Sequence, residues 1–296
     1  GLYALYEKDL QNRKGTEDIM MDITGGTFTG KTASVFSQNV TGFLSGGIFL
    51  KEKEDGSTSG DKSLNSTSYL ENNRTVSDTG SVSLEGAVAK LNDKEYLTIA
   101  SAIAEANDGD VISLIDDTTE SITIPSGINI ILDLGTFTIT NETDKHTITI
   151  ESGANLTIMG TGIIDNVSHK KAAVYNLGTV TLESGTLTRS AEASTSPSNN
   201  GGNSYYVVHN NGTFNMSGGT ITQNGYYSSL FANKSENGSN PVFNMTAGTL
   251  KQEGFIALKN EETGTVNISG GNVICSEDQS LQNWGTATIS GGELTG

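Results

Sequence analysis

The residues of this chain that could do chemistry are its carboxylates, three histidines and a set of tyrosines. Asp116, Asp117 and Glu120 crowd one turn-like stretch, Asp133 lies between leucines, and Asp165 sits in Gly162-Ile163-Ile164-Asp165-Asn166. Converging carboxylates can hold a hard cation such as Ca²⁺, and a pair can serve as acid and base on a glycosidic bond. Asp133 and Asp165 are 32 residues apart, near one repeat length, so adjacent coils could bring them together. The competing role of each is to cap its own turn through an Asx hydrogen bond. Basic partners are scarce: Arg13, Arg74 and Arg189 are all the arginines, and none lies among carboxylates in sequence. His146, His169 and His209 form no Ser/His/Asp arrangement and read as surface or turn residues. Cys275 is the only cysteine, which excludes an internal disulfide, and no Cys/His spacing fits zinc. The expectation is therefore no catalytic set, no metal set and no cofactor. Calcium is the one ion that acidic, Gly-rich turns could hold structurally, although both the Gly-Gly-x-Gly-x-Asp nonapeptide and EF-hand spacing are missing.

The aromatic residues point to binding. Tyr205-Tyr206 closes a long polar insertion, Tyr226-Tyr227 follows about one repeat later, and Trp284 is the single tryptophan. Such rings offer an apolar body with a polar tip, which suits stacking on sugar rings. The competing reading is that one tyrosine of each pair packs beneath its insertion. Tyr205, Tyr206, Tyr226, Tyr227 and Trp284 are the expected ligand-binding residues.

Whatever these residues do, repeats must position them. Gly, Ser, Thr and Asn make up nearly half of the 296 residues, only 34% are hydrophobic and the formal net charge is −17. This composition fits short strands and many turns, and no apolar run approaches a membrane span. So acidic a chain repels phosphate backbones, which argues against nucleic acid and anionic membranes as partners. The blocks Ile23-Thr24-Gly25-Gly26, Leu44-Ser45-Gly46-Gly47, Met216-Ser217-Gly218-Gly219, Ile268-Ser269-Gly270-Gly271 and Ile289-Ser290-Gly291-Gly292 recur, with variants at Leu182-Glu183-Ser184-Gly185 and Met245-Thr246-Ala247-Gly248. Their spacings of 21, 34, 29, 23 and 21 residues keep a fixed core while the insertions vary, the mark of a solenoid. Before each turn, Val180/Leu182, Phe214/Met216, Phe243/Met245, Val266/Ile268 and Ala287/Ile289 alternate with Thr or Asn, which predicts a strand with one buried face. A second short strand then buries Leu187, Ile221, Leu250, Val273 or Leu294. The Gly-Gly pair supplies the positive φ needed for the turn between them.

Asn176, Asn210 and Asn283 lie seven residues before their turns, with Gln38 at the same place and Asn233 and Asn260 at the equivalent position before longer insertions. Stacked amides there would form an Asn ladder satisfying buried backbone groups. The outward Thr row is interrupted by Asn215, Asn244 and Asn267, which argues against a flat, ice-binding Thr array.

Residues 95–140 break the pattern. Thr98 to Ala106 has apolar residues at helical spacing, with Thr98 as N-cap, predicting one short helix at about 98–107 that covers the open end of the solenoid. The domain reading is 1–51 as the end of a preceding repeat segment, 52–86 as a polar linker or long loop, and 87–296 as a capped solenoid. Both ends run into repeat-like sequence, so the chain is expected to be an excerpt of a longer polypeptide.

From Ala87-Val88-Ala89-Lys90-Leu91 through Asp108-Gly109-Asp110-Val111-Ile112, Ile124-Pro125-Ser126-Gly127 and Leu132-Asp133-Leu134-Gly135, the chain resembles the opening of right-handed parallel β-helix domains in large bacterial surface proteins. The later Ser-Gly-Gly coils are similar to that family's rungs. This pectate-lyase-like resemblance implies an all-β, right-handed parallel β-helix. It does not select an activity, because such folds include lyases, hydrolases and adhesins. The expected function is a noncatalytic, extracellular segment on a bacterial cell surface. It would act as a monomeric adhesin or stalk presenting its insertions to a host or environmental glycan or protein. The alternative is a polysaccharide lyase or glycoside hydrolase, which would need three or more carboxylates converging near a basic side chain.

Overall fold

The computed structural model describes residues 1–8, 20–168, 171–190, 205–223 and 228–296. They form two compact units, Gly1–Ala87 and Val88–Gly296.

In Val88–Gly296 each coil contributes short strands that lie parallel, in register, on those of the next coil. The first sheet runs through Val111–Leu114, Asn129–Asp133, Asn155–Met159, Thr179–Leu182, Thr213–Met216, Val242–Met245, Thr265–Ile268 and Thr286–Ile289. The second sheet stacks Ile163–Asn166, Thr186–Thr188, Thr220–Gln223, Thr249–Gln252 and Asn272–Cys275 among its strands. The third stacks Ile148–Ile150, Val174–Asn176, Val208–Asn210, Phe231–Asn233, Leu258–Asn260 and Leu281–Asn283. The unit is an all-β parallel solenoid with one short helix.

The alternation in sequence becomes columns in space. Val180, Phe214, Phe243 and Val266 are successive partners and fully buried, and Ala287 continues the column half-buried in the last coil. Leu187, Ile221, Leu250 and Val273 form the second column, ending at half-buried Leu294. Each full burial contributes about 1.5–3 kcal/mol relative to exposure, so the core grows coil by coil.

Helix α1 (Ile99–Glu105) closes one end. Thr98 Oγ1 accepts from Ser101 N at 3.1 Å, and Glu120 accepts from Ile99 N at 2.9 Å and Ala100 N at 3.3 Å. Its apolar stripe, Ile99, Ala102 and Ile103, is buried. The hairpin of Ala89–Leu91 and Lys94–Tyr96 pairs antiparallel with Val111–Leu114 and covers that edge of the first sheet. An uncovered edge would be free to pair with another chain.

In Gly1–Ala87, Leu5–Glu7 pairs parallel with Val35–Ser37, and Thr27–Gly30 with Ile48–Glu52, so two coil segments stack at the 21-residue spacing. Residues 52–86 are not the polar linker their composition suggested. Thr58–Gly60 pairs with Ile48–Glu52, and Arg74–Val76 and Val82–Leu84 form a hairpin. Leu64, Val76 and Val82 join Val35, Phe43, Leu44 and Phe49 in one apolar cluster. A few apolar residues, widely spaced among polar ones, suffice to fold the segment onto the strands before it. Gln38 is not a ladder residue: its side chain is exposed, and Ser37, one residue earlier, faces inward.

Glu7 ties these two coil segments together. Its carboxylate accepts from the backbone amides of Asn39 (3.0 Å) and Gln38 (2.9 Å), from Asn39 Nδ2 (2.9 Å) and from Ser37 Oγ (2.8 Å). The Asn39 amide foremost, against a smaller opposing effect of burial, lowers its pKa from 4.5 to about 2. The folded unit therefore favours the ionised form. Its contribution is complete above pH 4.5 and is lost as the pH falls toward 2. Glu7→Gln is expected to remove that part of the acid sensitivity of Gly1–Ala87, read as a flatter dependence of its urea midpoint on pH below 4.5. An unchanged slope would refute this role.

Candidate functional site

The functional face is placed by the corner where the third sheet turns into the first. Asn176, Asn210, Asn233 and Asn260 end strands of the third sheet and are fully buried. The Nδ2 of each donates to Oδ1 of the next, at 2.7, 2.8, 2.8 and 2.6 Å, and the run ends at exposed Asn283. The same amides donate to backbone carbonyls of the following coil, Thr213, Val242, Thr265 and Thr286, at 2.9–3.1 Å. The Asn ladder is thus structural and locks the register at this corner. A second amide row, which sequence reasoning noted only as an interruption of threonines, runs along the first sheet. There Asn244 donates to Asn215 and Asn267 to Asn244, each at 2.9 Å.

Because the ladder asparagines point inward, the residue before each points outward. Tyr175, His209, Ala232, Lys259 and Gln282 are consecutive partners on the outer side of the third sheet. Tyr205 and Tyr206, whose rings are 5.2 Å apart, join this face beside His209. His146 stacks on Tyr175 at 4.6 Å, and Tyr175 meets His209 edge-on at 5.1 Å. The Tyr205 hydroxyl lies 2.7 Å from His209 Nδ1, and the Tyr175 hydroxyl donates to Glu236 Oε2 at 2.6 Å. Arg189, 1% exposed, donates from Nη1 to the Tyr205 carbonyl and from Nη2 to the Ser168 carbonyl at 2.8 Å, and so fixes where Tyr205 emerges. The arrangement is a half-exposed patch of rings on a rigid support, with phenol and imidazole edges available as polar contacts.

Burial sets the electrostatics. It lowers the pKa of His146 and of His209 from 6.5 to about 4, against a raising effect of Glu236 at both. Burial and the Glu236 charge push the Tyr205 phenol up to about 12, and Tyr175 is raised further by burial and its bond to Glu236. At neutral pH the rings are uncharged.

The structure gathers only part of the expected set. Tyr205 and Tyr206 are together, while Trp284 lies three coils along the third sheet, about 14 Å away at roughly 4.8 Å per step. Trp284 is 59% exposed, with Lys259 Nζ 5.0 Å from its ring centre. Tyr226, Tyr227 and His169 fall outside the described residues. The surface reading of the histidines is corrected for His209, which is 1% exposed and central to the cluster. Tyr175, His209 and His146 were missed as binding residues. The signal for the first two was present, since each directly precedes or falls in phase with a ladder asparagine.

The carboxylates are used on the backbone. Asp133 accepts from Gly135 N at 2.9 Å, the Asx turn, whereas Asp165 accepts from Ser190 N of the next coil at 2.8 Å. They belong to the first and second sheets respectively and do not face one another. Asp117 accepts from Thr138 N at 2.7 Å, and Glu120 caps α1. Among the described residues no three His, Cys, Asp or Glu side chains come together to hold a metal ion. No protein family, curated protein or solved structure matches this chain.

Proposed function

We propose that the chain is a noncatalytic segment of a bacterial surface protein, with a right-handed, pectate-lyase-like solenoid serving as adhesin or stalk outside the cell. Its third sheet holds a carbohydrate ligand against the face of Tyr205, Tyr206, Tyr175 and the two imidazoles. The observation that carries this reading is the convergence of five rings on one outward face, half-exposed yet anchored from beneath by Arg189 and the Asn ladder. Rigid rings on a rigid support stack on a sugar at little entropic cost. No cofactor is needed. The described carboxylates, engaged with backbone amides, lend no support to the lyase or hydrolase alternative.

A glycan-array screen tests it. Tyr205→Ala/Tyr206→Ala is expected to weaken the best glycan at least about tenfold, the loss of roughly 1.4 kcal/mol of stacking. Trp284→Ala, three coils away, leaves that ligand's binding unchanged. Equal binding by the tyrosine variant and the intact chain would refute the site.

A further inference from the structure

Two outward residues of the third sheet, His209 and Ala232, are as buried as the core, at 1% and 0% exposure. Residues 234–241 reach over them. Glu236 is the contact: its Oε2 accepts from Tyr175, two strands back in the sheet, and its Oε1 lies 3.6 Å from His209 Nε2. That Nε2 is buried without a hydrogen-bond partner, since 3.6 Å is too long. The segment is otherwise tied down lightly. Glu236 N donates to Asn211 Oδ1 at 2.9 Å, Ser239 Oγ donates to the same oxygen, and Thr263 Oγ1 donates to Ser239 O at 3.0 Å. Its two ends, by contrast, are fixed: Asn233 and Pro241 are buried and joined by Asn233 Nδ2 to Pro241 O at 3.2 Å.

We propose that residues 234–241 form an acid-released strap over the aromatic face, lifted when His209 and His146 take up protons. The release itself follows from geometry. Its role as a gate for ligand rests on the carbohydrate reading above. His146 Nδ1 accepts from Ala172 N at 2.9 Å, a bond only the neutral ring can make; protonation would set two donors face to face. His209 Nδ1 is likewise engaged by Tyr205, and its protonated ring would be a buried cation among Tyr175, Tyr205 and Tyr206. The charges around the pair do not balance two imidazolium ions. Lys171 and Lys234 add positive charge, Arg189 lies at the Tyr205 carbonyl, and Glu236 is one carboxylate already bound by Tyr175. Glu261 pairs with Lys259 at 2.9 Å, and Asp144 with Lys171 at 3.9 Å. Lifting the strap hydrates the rings while both anchors and the ladder stay in place.

The test is hydrogen exchange on the ligand-free, full chain between pH 7.5 and pH 5, corrected for the intrinsic pH dependence of exchange. With imidazoles that titrate near 4 when covered and 6.5 when free, the opening constant of 234–241 rises on the order of thirtyfold per ring at pH 5. Ladder strands such as Val208–Asn210 keep their protection. In His146→Phe/His209→Gln the strap still packs, since glutamine can accept from Tyr205 and donate toward Glu236, but the acid response disappears. Strap exchange that shows no added acid dependence overturns the proposal, as does acid exchange that rises equally in the ladder strands or persists in the double variant. If the double variant fails to fold, the ratio of strap to ladder exchange in the natural chain decides alone. A glycan screen that finds no ligand would refute the carbohydrate reading and leave this result standing.

Discussion

Gly218→Ala is expected to destabilise Val88–Gly296 by about 3 kcal/mol, although it adds a single methyl group. A Cβ at Gly218 would lie 2.0 Å from the carbonyl oxygen of Glu183 in the preceding coil and 3.1 Å from its carbonyl carbon. Backbone cannot rotate away, so the two coils must separate and lose the parallel hydrogen bonds between them. Its neighbour Gly219 is glycine for another reason as well, a φ of +72°. The Gly-Gly pair is therefore not simply two flexible residues: the first makes room for the coil before, and the second makes the turn. Gly238→Ala is the control. Its φ is +81° but nothing lies within 4 Å of the new atom, so only the conformational cost of about 1–2 kcal/mol applies. Urea midpoints of the two variants decide it; equal losses would mean that coil spacing does not depend on the first glycine.

Asn233→Ala is expected to cost a similar amount, about 3 kcal/mol, from lost amide bonds rather than overlap. Asn233 accepts from Asn210 at 2.8 Å and donates to Asn260 Oδ1 at 2.8 Å and to Thr265 O at 3.1 Å. Alanine strands Asn260 Oδ1 and Thr265 O in a dry corner, at about 1–3 kcal/mol for each orphaned group. Asn244→Ala, in the half-buried outer row, leaves its partners reachable by water and should cost about 1 kcal/mol or less. Comparable losses at both positions would show that the inner ladder has no special weight.

These two variants also show how far the sequence could be read. The Ser-Gly-Gly turns and the alternation around Val180, Phe214, Phe243 and Val266 carry the coil pattern in local spacing alone, so the columns could be foreseen. The ladder could be foreseen because one amide recurs at one offset. The third strand could not: three residues such as Val208–Asn210, flanked by insertions of changing length, leave too short a run for a period to register. The aromatic face was half visible. Tyr205-Tyr206 stood out as a pair, but Glu236 reaches Tyr175 across 61 residues of chain, and no spacing rule links them. His209 looked like a surface residue because its outward position is correct; what buries it is a segment folded over the sheet from the next coil. Residues 52–86 misled for a related reason, since Leu64, Val76 and Val82 are too few and too scattered to mark a core until the chain folds back.

The stacking of coils is most directly tested by methyl and aromatic NOE contacts in the intact chain. In-register columns place Val180 against Phe214, Phe214 against Phe243 with ring centres 6.1 Å apart, and Phe243 against Val266. The expected result is an unbroken series of contacts in that order, with none joining Val180 directly to Val266. Contacts that skip coils, or no contact between Phe214 and Phe243, would contradict it.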